Sequence, residues 1–199
     1  MKTIAVTQRV AISATHSERR DALDQQWARF LTACGCLALP LPNNRAVAEG
    51  LLGQVPVSGV LFTGGNTLAP YGGEAPERDA MEAWLLDAAC ERGWAALGVC
   101  RGMQVIQHRW GVPLAKVTGH VTAEHVIDLG GTPTPVNSYH DFGATETSPE
   151  LTVIGRADDA VVEAVRHTKH RVMGMMWHPE RYPEFRPADV ALVREWFQT

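Results

Sequence analysis

The sequence is poor in cysteine, and none of its four cysteines stands at CxxC spacing from another. That excludes a disulfide framework and a thiolate metal set, and leaves Cys34, Cys36, Cys90 and Cys100 as expected free thiols. Basic residues do not outnumber acidic ones. With a net charge of −4 there is no electrostatic footprint for a nucleic-acid partner. No apolar run approaches the roughly eighteen residues that span a bilayer, so no membrane is expected as partner. The opening MKTIAVTQRV lacks the apolar length and the small-residue cleavage pattern of a secretory signal, and a cytoplasmic location is expected. There is no internal repeat, no low-complexity tract and, in TGGNTLAPYGG, no GK[ST] to complete a Walker phosphate loop. His167 and His170 fall in the charged stretch RHTKHR, which reads as a solvated turn, while His120 and His125 carry no assigned role. Without cysteines or carboxylates at ligand spacing, no metal and no cofactor is expected.

What is present fits one domain over residues 1–199, long enough to bury a core unaided. Residues 3–7 read as a strand, and Arg20 to Gly35 carries Leu23, Trp27, Phe30, Leu31 and Cys34 at helical spacing. CLALPLP is a second strand, RAVAEGLLGQ a helix, and SGVLF a third strand running straight into TGGNT. Pro76, followed by Glu77 and Asp79, opens a helix whose Met81, Trp84, Leu85 and Ala88 share a face until Gly93 stops it. WAALGVC is a buried strand, and a helix follows from about Gly102 to Trp110. From Val112 to Ile154 helical periodicity fades, and VTAEHVIDL and TPTPVNSY read as short antiparallel strands. VVEAVRH and RVMGMMWH add two more, and ADVALVREWFQ closes as an amphipathic helix. The alternation predicts an α/β fold: a doubly wound, mostly parallel sheet flanked by helices, with a small antiparallel β extension.

In such a sheet the ligand site lies beyond the carboxyl ends of the strands, and Cys100 stands at one of them. A nucleophile there is best presented on a sharp strand-to-helix turn with small residues two before and two after it, and Gly98 and Gly102 meet that demand. The following helix aims its free amides and positive end at the sulfur, which favours the thiolate. The Arg101 amide is placed to serve as one arm of an oxyanion hole, and Gly64 or Gly65 in LFTGGNT as the other. In MMWHPERYPE, His178 and Glu180 stand two apart, so in an extended segment both face one side, as base and orienting carboxylate. Trp177 reads as packing.

On "GVCRGMQ", "FTGGN", "VNSYH" and "WHPER" the chain resembles the class I glutamine amidotransferase-like family, which has a flavodoxin-like fold, and within it the γ-glutamyl hydrolase branch of cysteine hydrolases. The resemblance spans nearly the whole chain. It implies a γ-glutamyl-thioester on Cys100, a small-molecule γ-glutamyl amide as substrate, and Gln104, Tyr139, His140 and Asp141 as contacts for its α-amino acid end. The stretches VTQRV, ERRDALDQQWARF, ERDAMEAWLLDAAC and VNSYHDFG are further similar to members acting on a γ-glutamyl phosphoramidate of a cytidine diphosphate. A diphosphate leaving group wants arginine near the site mouth, and Arg9, Arg78, Arg101 and Arg181 are the candidates. Two activities remain open: a free-standing hydrolase, or a glutaminase subunit passing ammonia to a separate synthase. A homo-oligomer also stays open.

Overall fold

A computed structural model describes residues 1–198. Its main sheet has nine strands: β1 (Lys2–Val6), β2 (Cys36–Pro40), β3 (Gly59–Phe62), β4 (Ala95–Val99), β5 (Val121–Leu129), β6 (Thr132–Tyr139), β7 (Leu151–Ala157), β8 (Val162–His167) and β9 (Val172–Met175). They lie in the order β2-β1-β3-β4-β9-β8-β7-β5-β6. The first five in that order pair in parallel, and the rest continue the same sheet antiparallel. The helices are α1 (Gln25–Ala33), α2 (Arg45–Gln54), α3 (Pro76–Arg92), α4 (Arg101–Arg109) and α5 (Pro187–Gln198).

Double winding follows from strand periodicity, because alternate residues of a strand face opposite sides. Ile4 and Val6 of β1, Leu61 of β3, and Ala95, Leu97 and Val99 of β4 pack with Trp27, Phe30 and Leu31 of α1 and with Val193, Trp196 and Phe197 of α5. Their neighbours Ala5, Val60, Phe62 and Ala96 pack on the other face with Ala48 and Leu52 of α2, Met81, Leu85 and Ala89 of α3, and Met103 and Ile106 of α4. Both faces of the parallel strands are therefore dry, which is why they read as continuous apolar runs.

The N-terminal region departs from expectation. The helix expected from Arg20 begins at Gln25, where the Asp24 side chain accepts from the Gln26 amide. Residues Arg19–Ala22 pair antiparallel with Arg9–Ile12 instead, and Asp21 accepts from both the backbone and the side-chain nitrogen of Asn43. Antiparallel pairing with Arg9–Ile12 overrides a weak local helical pattern there. No helix among the described residues is long and apolar enough to cross a membrane.

Candidate active site

Cys100 ends β4 and caps α4 with φ 53° and ψ −109°, a conformation that L side chains rarely adopt. Its neighbours explain how the turn closes. A Cβ on Gly98 would lie 2.5 Å from the Gly102 carbonyl, and one on Gly102 would lie 2.1 Å from the Phe62 oxygen. Both glycines are needed for α4 to start so close to β3 and β4. The Cys100 amide donates to the Met175 carbonyl at 2.8 Å, which ties the turn to β9.

The residues brought to Cys100 come from the strands on either side of β4. His178 follows β9 and is buried, with its Nδ1 2.7 Å from Glu180 Oε1. The segment is not the extended stretch expected, since Pro179–Arg181 forms a 3₁₀ turn that folds the carboxylate back under the ring. The backbone of His178 is gripped twice by Asn137 of β6: its amide donates to Oδ1 at 2.7 Å, and its carbonyl accepts from Nδ2 at 2.8 Å. Burial pulls the His178 ring down, but the influence of Cys100 and Glu180 overrides this and raises it to about 9. The other cysteines have no such partners: burial pushes Cys34 up to about 12 and also raises Cys36 and Cys90.

On the other side, the loop after β3 presses Gly64 against the site, where an added Cβ would stand 2.7 Å from His178 Cε1 and 3.6 Å from Cys100 Cβ. Beneath this loop lies Arg78 of α3, wholly buried. Its guanidinium donates to the carbonyls of Thr63 (2.7 Å), Gly64 (3.2 Å) and Gly65. Because a trans peptide points its C=O and the next N–H in opposite directions, the amides of Gly64 and Gly65 are turned away from Arg78. Asn66 pins the loop from outside, exchanging hydrogen bonds with the Val10 backbone. Arg101 is also buried, and its guanidinium pairs with Asp79 and Glu82. Glu82 binds Arg78 through its other oxygen at 2.9 Å, so one carboxylate joins the turn carrying Cys100 to the loop carrying Gly64.

These contacts correct part of the arginine reading. Arg78 and Arg101 are consumed inside the protein and cannot reach a leaving group, whereas Arg9 and Arg181 are exposed and line a cavity of about 150 Å³. That cavity also touches Trp27, Gly64, Gly65, His178 and Glu180. It opens near the carboxyl ends of β1 and β3, where the strand order reverses, the usual ligand position in an open α/β sheet. Arg181 lies over the Tyr139 ring at 4.8 Å.

The residues expected to hold a substrate's α-amino acid end divide. Tyr139 is partly exposed, with its carbonyl 4.0 Å from Cys100 Sγ and its ring edge-on to His178. Asp141 is exposed. The Gln104 side chain is buried and donates to the Phe142 carbonyl at 2.9 Å, bracing this loop. The His140 side chain turns inward to Phe142 and Glu163. Trp177 is buried with its Nε1 donating to Asp189 at 3.1 Å, as packing requires. His167 accepts the amides of Lys169 and His170 on Nδ1 and so braces its turn. Sequence reasoning missed Glu82, Asn137, Asn66 and Glu163. Only Glu82 left a trace, as a charge four residues after Arg78 on the apolar face of α3.

The sheet order, the strained cysteine turn and the neighbouring histidine define a class of protein, and comparison agrees. The chain belongs to the peptidase C26 family, which matches residues 3–126 and 113–180. Among curated proteins it is 26% identical to the γ-glutamyl-CDP-amidate hydrolase of Campylobacter jejuni, over 98% of this chain and 96% of that one. It is 28% identical to a γ-glutamyl-γ-aminobutyrate hydrolase of Escherichia coli O157:H7, over 88% of this chain and 84% of that one. A solved structure from Thermoplasma acidophilum, assigned as a GMP synthase subunit, shares the fold with TM-score 0.74 at 17% identity, covering 99% of this chain and 92% of that one.

Proposed function

We propose that the protein hydrolyses a γ-glutamyl amide through a thioester on Cys100. The observation that carries this reading is Cys100 at positive φ, facing a buried His178 whose far nitrogen is held by Glu180. In this mechanism His178 already holds the proton given up by the thiol when the sulfur attacks the γ-carbonyl carbon. Negative charge on the carbonyl oxygen is met by the amides of Gly64 or Gly65 and of Arg101, each worth roughly 3 kcal/mol. The C–N bond breaks as His178 returns the proton to the leaving nitrogen. Water, deprotonated by the same ring, then attacks the thioester carbon, releasing glutamate and restoring the thiol. Glu180 keeps the ring oriented and balances its charge throughout. Tyr139, the His140 backbone, Asp141 and the loop braced by Gln104 form the seat for the α-amino acid end.

For the leaving group we favour a cytidine diphosphate amidate, which would put the reaction in the making of a capsule phosphoramidate. The support is the Campylobacter relative, matched along nearly all of both chains, together with two exposed arginines at the cavity. A second reading, a glutaminase subunit that delivers ammonia to a separate synthase, is favoured by the likeness to the Thermoplasma protein.

Glutamate release by the purified protein alone separates them. γ-Glutamyl-CDP-amidate, γ-glutamyl-γ-aminobutyrate and L-glutamine are compared, with Cys100→Ala as control. Release from one conjugate that the control lacks is the expected result. Full activity in Cys100→Ala would refute the mechanism. Silence on all three substrates, with Cys100 still alkylated by iodoacetamide, would favour the partner-activated glutaminase.

A further inference from the structure

Behind the substrate loop lies a second cluster that the proposed reaction does not use. Glu163 of β8 is wholly buried, and three imidazoles surround its Oε1: His120 Nδ1 at 3.0 Å, His140 Nε2 at 3.3 Å and His125 Nε2 at 3.7 Å. The ligand atoms of His120, His125 and Glu163 all lie within 4.8 Å of one another. Four donors placed about 2.05 Å from a tetrahedral ion would stand about 3.3 Å apart, close to the three distances from the imidazoles to Glu163 Oε1.

The hydrogen-bond pattern says what is missing. His120 Nε2 lies 2.9 Å from Asp159 Oδ2, and His140 Nδ1 lies 3.0 Å from the Phe142 carbonyl. A carbonyl only accepts, so His140 donates from Nδ1 to Phe142, and its Nε2 faces Glu163 Oε1. His120 is bonded through Nε2 to Asp159, and its Nδ1 faces inward. Although His120 Nδ1 is only 3.0 Å from Glu163, it makes no hydrogen bond, and neither does His125 Nε2 or Glu163 Oε2. Apart from the contact of His140 Nε2 with Glu163 Oε1, the buried donor atoms that converge here have no partner, which is the arrangement of ligands around a cation. An imidazole oriented by a carboxylate on its other nitrogen is the usual support for such a ligand.

We propose that His120 Nδ1, His125 Nε2 and a Glu163 carboxylate oxygen, with His140 Nε2 at the fourth corner, bind a divalent cation of the zinc class. The donor set of imidazoles and one carboxylate suits zinc, and a full protein shell makes the site structural rather than catalytic. It would lock the strand pair β5-β6 to β8. The ion would reach the site past Asp159, which is 51% exposed. Its consequence for the active site is mechanical: the His140 amide and the Ser138 hydroxyl both donate to the His120 carbonyl, so the ion would stiffen the segment that presents Tyr139 to Cys100.

The test uses chelator-treated full chain carrying Cys100→Ala, so that zinc cannot report on the thiol. Titration with zinc chloride by calorimetry is expected to give one ion per chain, retained on dialysis. The melting temperature should rise by about 5 °C or more at a hundredfold excess over Kd. His125→Ala and Glu163→Gln, each placed in that background, should weaken binding by about tenfold or more. If Glu163→Gln fails to fold, with circular dichroism as the check, His125→Ala decides the question. No uptake at about 1 mM zinc would mean that an imidazolium already satisfies Glu163, and would overturn the site. So would uptake that His125→Ala leaves unchanged. Because the readout is binding, this result stands apart from the success or failure of the Cys100 mechanism.

Discussion

Glu82 and Glu163 are both wholly buried carboxylates, one serving the parallel half of the sheet and the other the antiparallel half, and they are neutralised in different ways. Glu82 meets the guanidiniums of Arg78 and Arg101. Burial would raise its carboxyl, but Arg101 and then Arg78 outweigh this and hold it low. Even Arg78, brought down to about 10 mainly by burial, keeps its charge at neutral pH. Its cations are thus built into the chain and permanent, as suits a frame that must hold backbone amides in one direction. Glu163 meets only imidazoles, which carry charge conditionally. Glu180 is an intermediate case, with one imidazole whose proton persists to about pH 9. The lesson is that the same buried carboxylate makes a rigid strut, a proton holder or a metal ligand according to which cation the neighbouring residues can supply.

The sharpest way to break this comparison is to remove each carboxylate in turn. Glu82→Ala strands two buried guanidiniums and is expected to cost about 3–5 kcal/mol by urea unfolding. Glu163→Ala in zinc-free protein should cost less than half as much, because it strands no guanidinium. Equal costs would erase the distinction. Next in size is the proton on His178. Its folded value of about 9 lies above the unfolded 6.5, so its stabilisation is complete below pH 6.5 and is lost as pH rises through 9. The stability gap between the parent and His178→Asn should therefore narrow by up to about 3 kcal/mol between pH 6 and pH 10. A gap that widened over that interval would mean the ring is held neutral.

The same contrast explains what could be read from the chain. The Cys100 turn and the His178–Glu180 pair are local: each depends on residues within two positions of one another, and their steric demands leave a written spacing. The alternation of strands and helices was equally legible, since both faces of β1, β3 and β4 are apolar. The Glu163 cluster draws on positions 120, 125, 140 and 163, brought together only by antiparallel pairing, so it has no ligand spacing to notice. The fates of Arg78 and Arg101 were hidden for a related reason. An arginine at a strand or helix end looks available for an anion until the fold places an acid beside it, as Glu82 stands beside both.

Arg181 gives the smallest expected effect on stability and the finest test of the functional reading. It is exposed, its Nε stands 3.6 Å from Glu180, and its guanidinium covers the Tyr139 ring. An ion pair that solvent screens contributes little, so Arg181→Ala should change unfolding stability by no more than about 0.5 kcal/mol. If Arg181 instead receives a diphosphate, the substitution should raise KM for γ-glutamyl-CDP-amidate by about tenfold, an effect that weakens with salt, and leave KM for γ-glutamyl-γ-aminobutyrate unchanged. Should both KM values rise together, the side chain acts through Tyr139 on the glutamyl end that the two substrates share. The diphosphate would then have to be met by Arg9, across the same cavity.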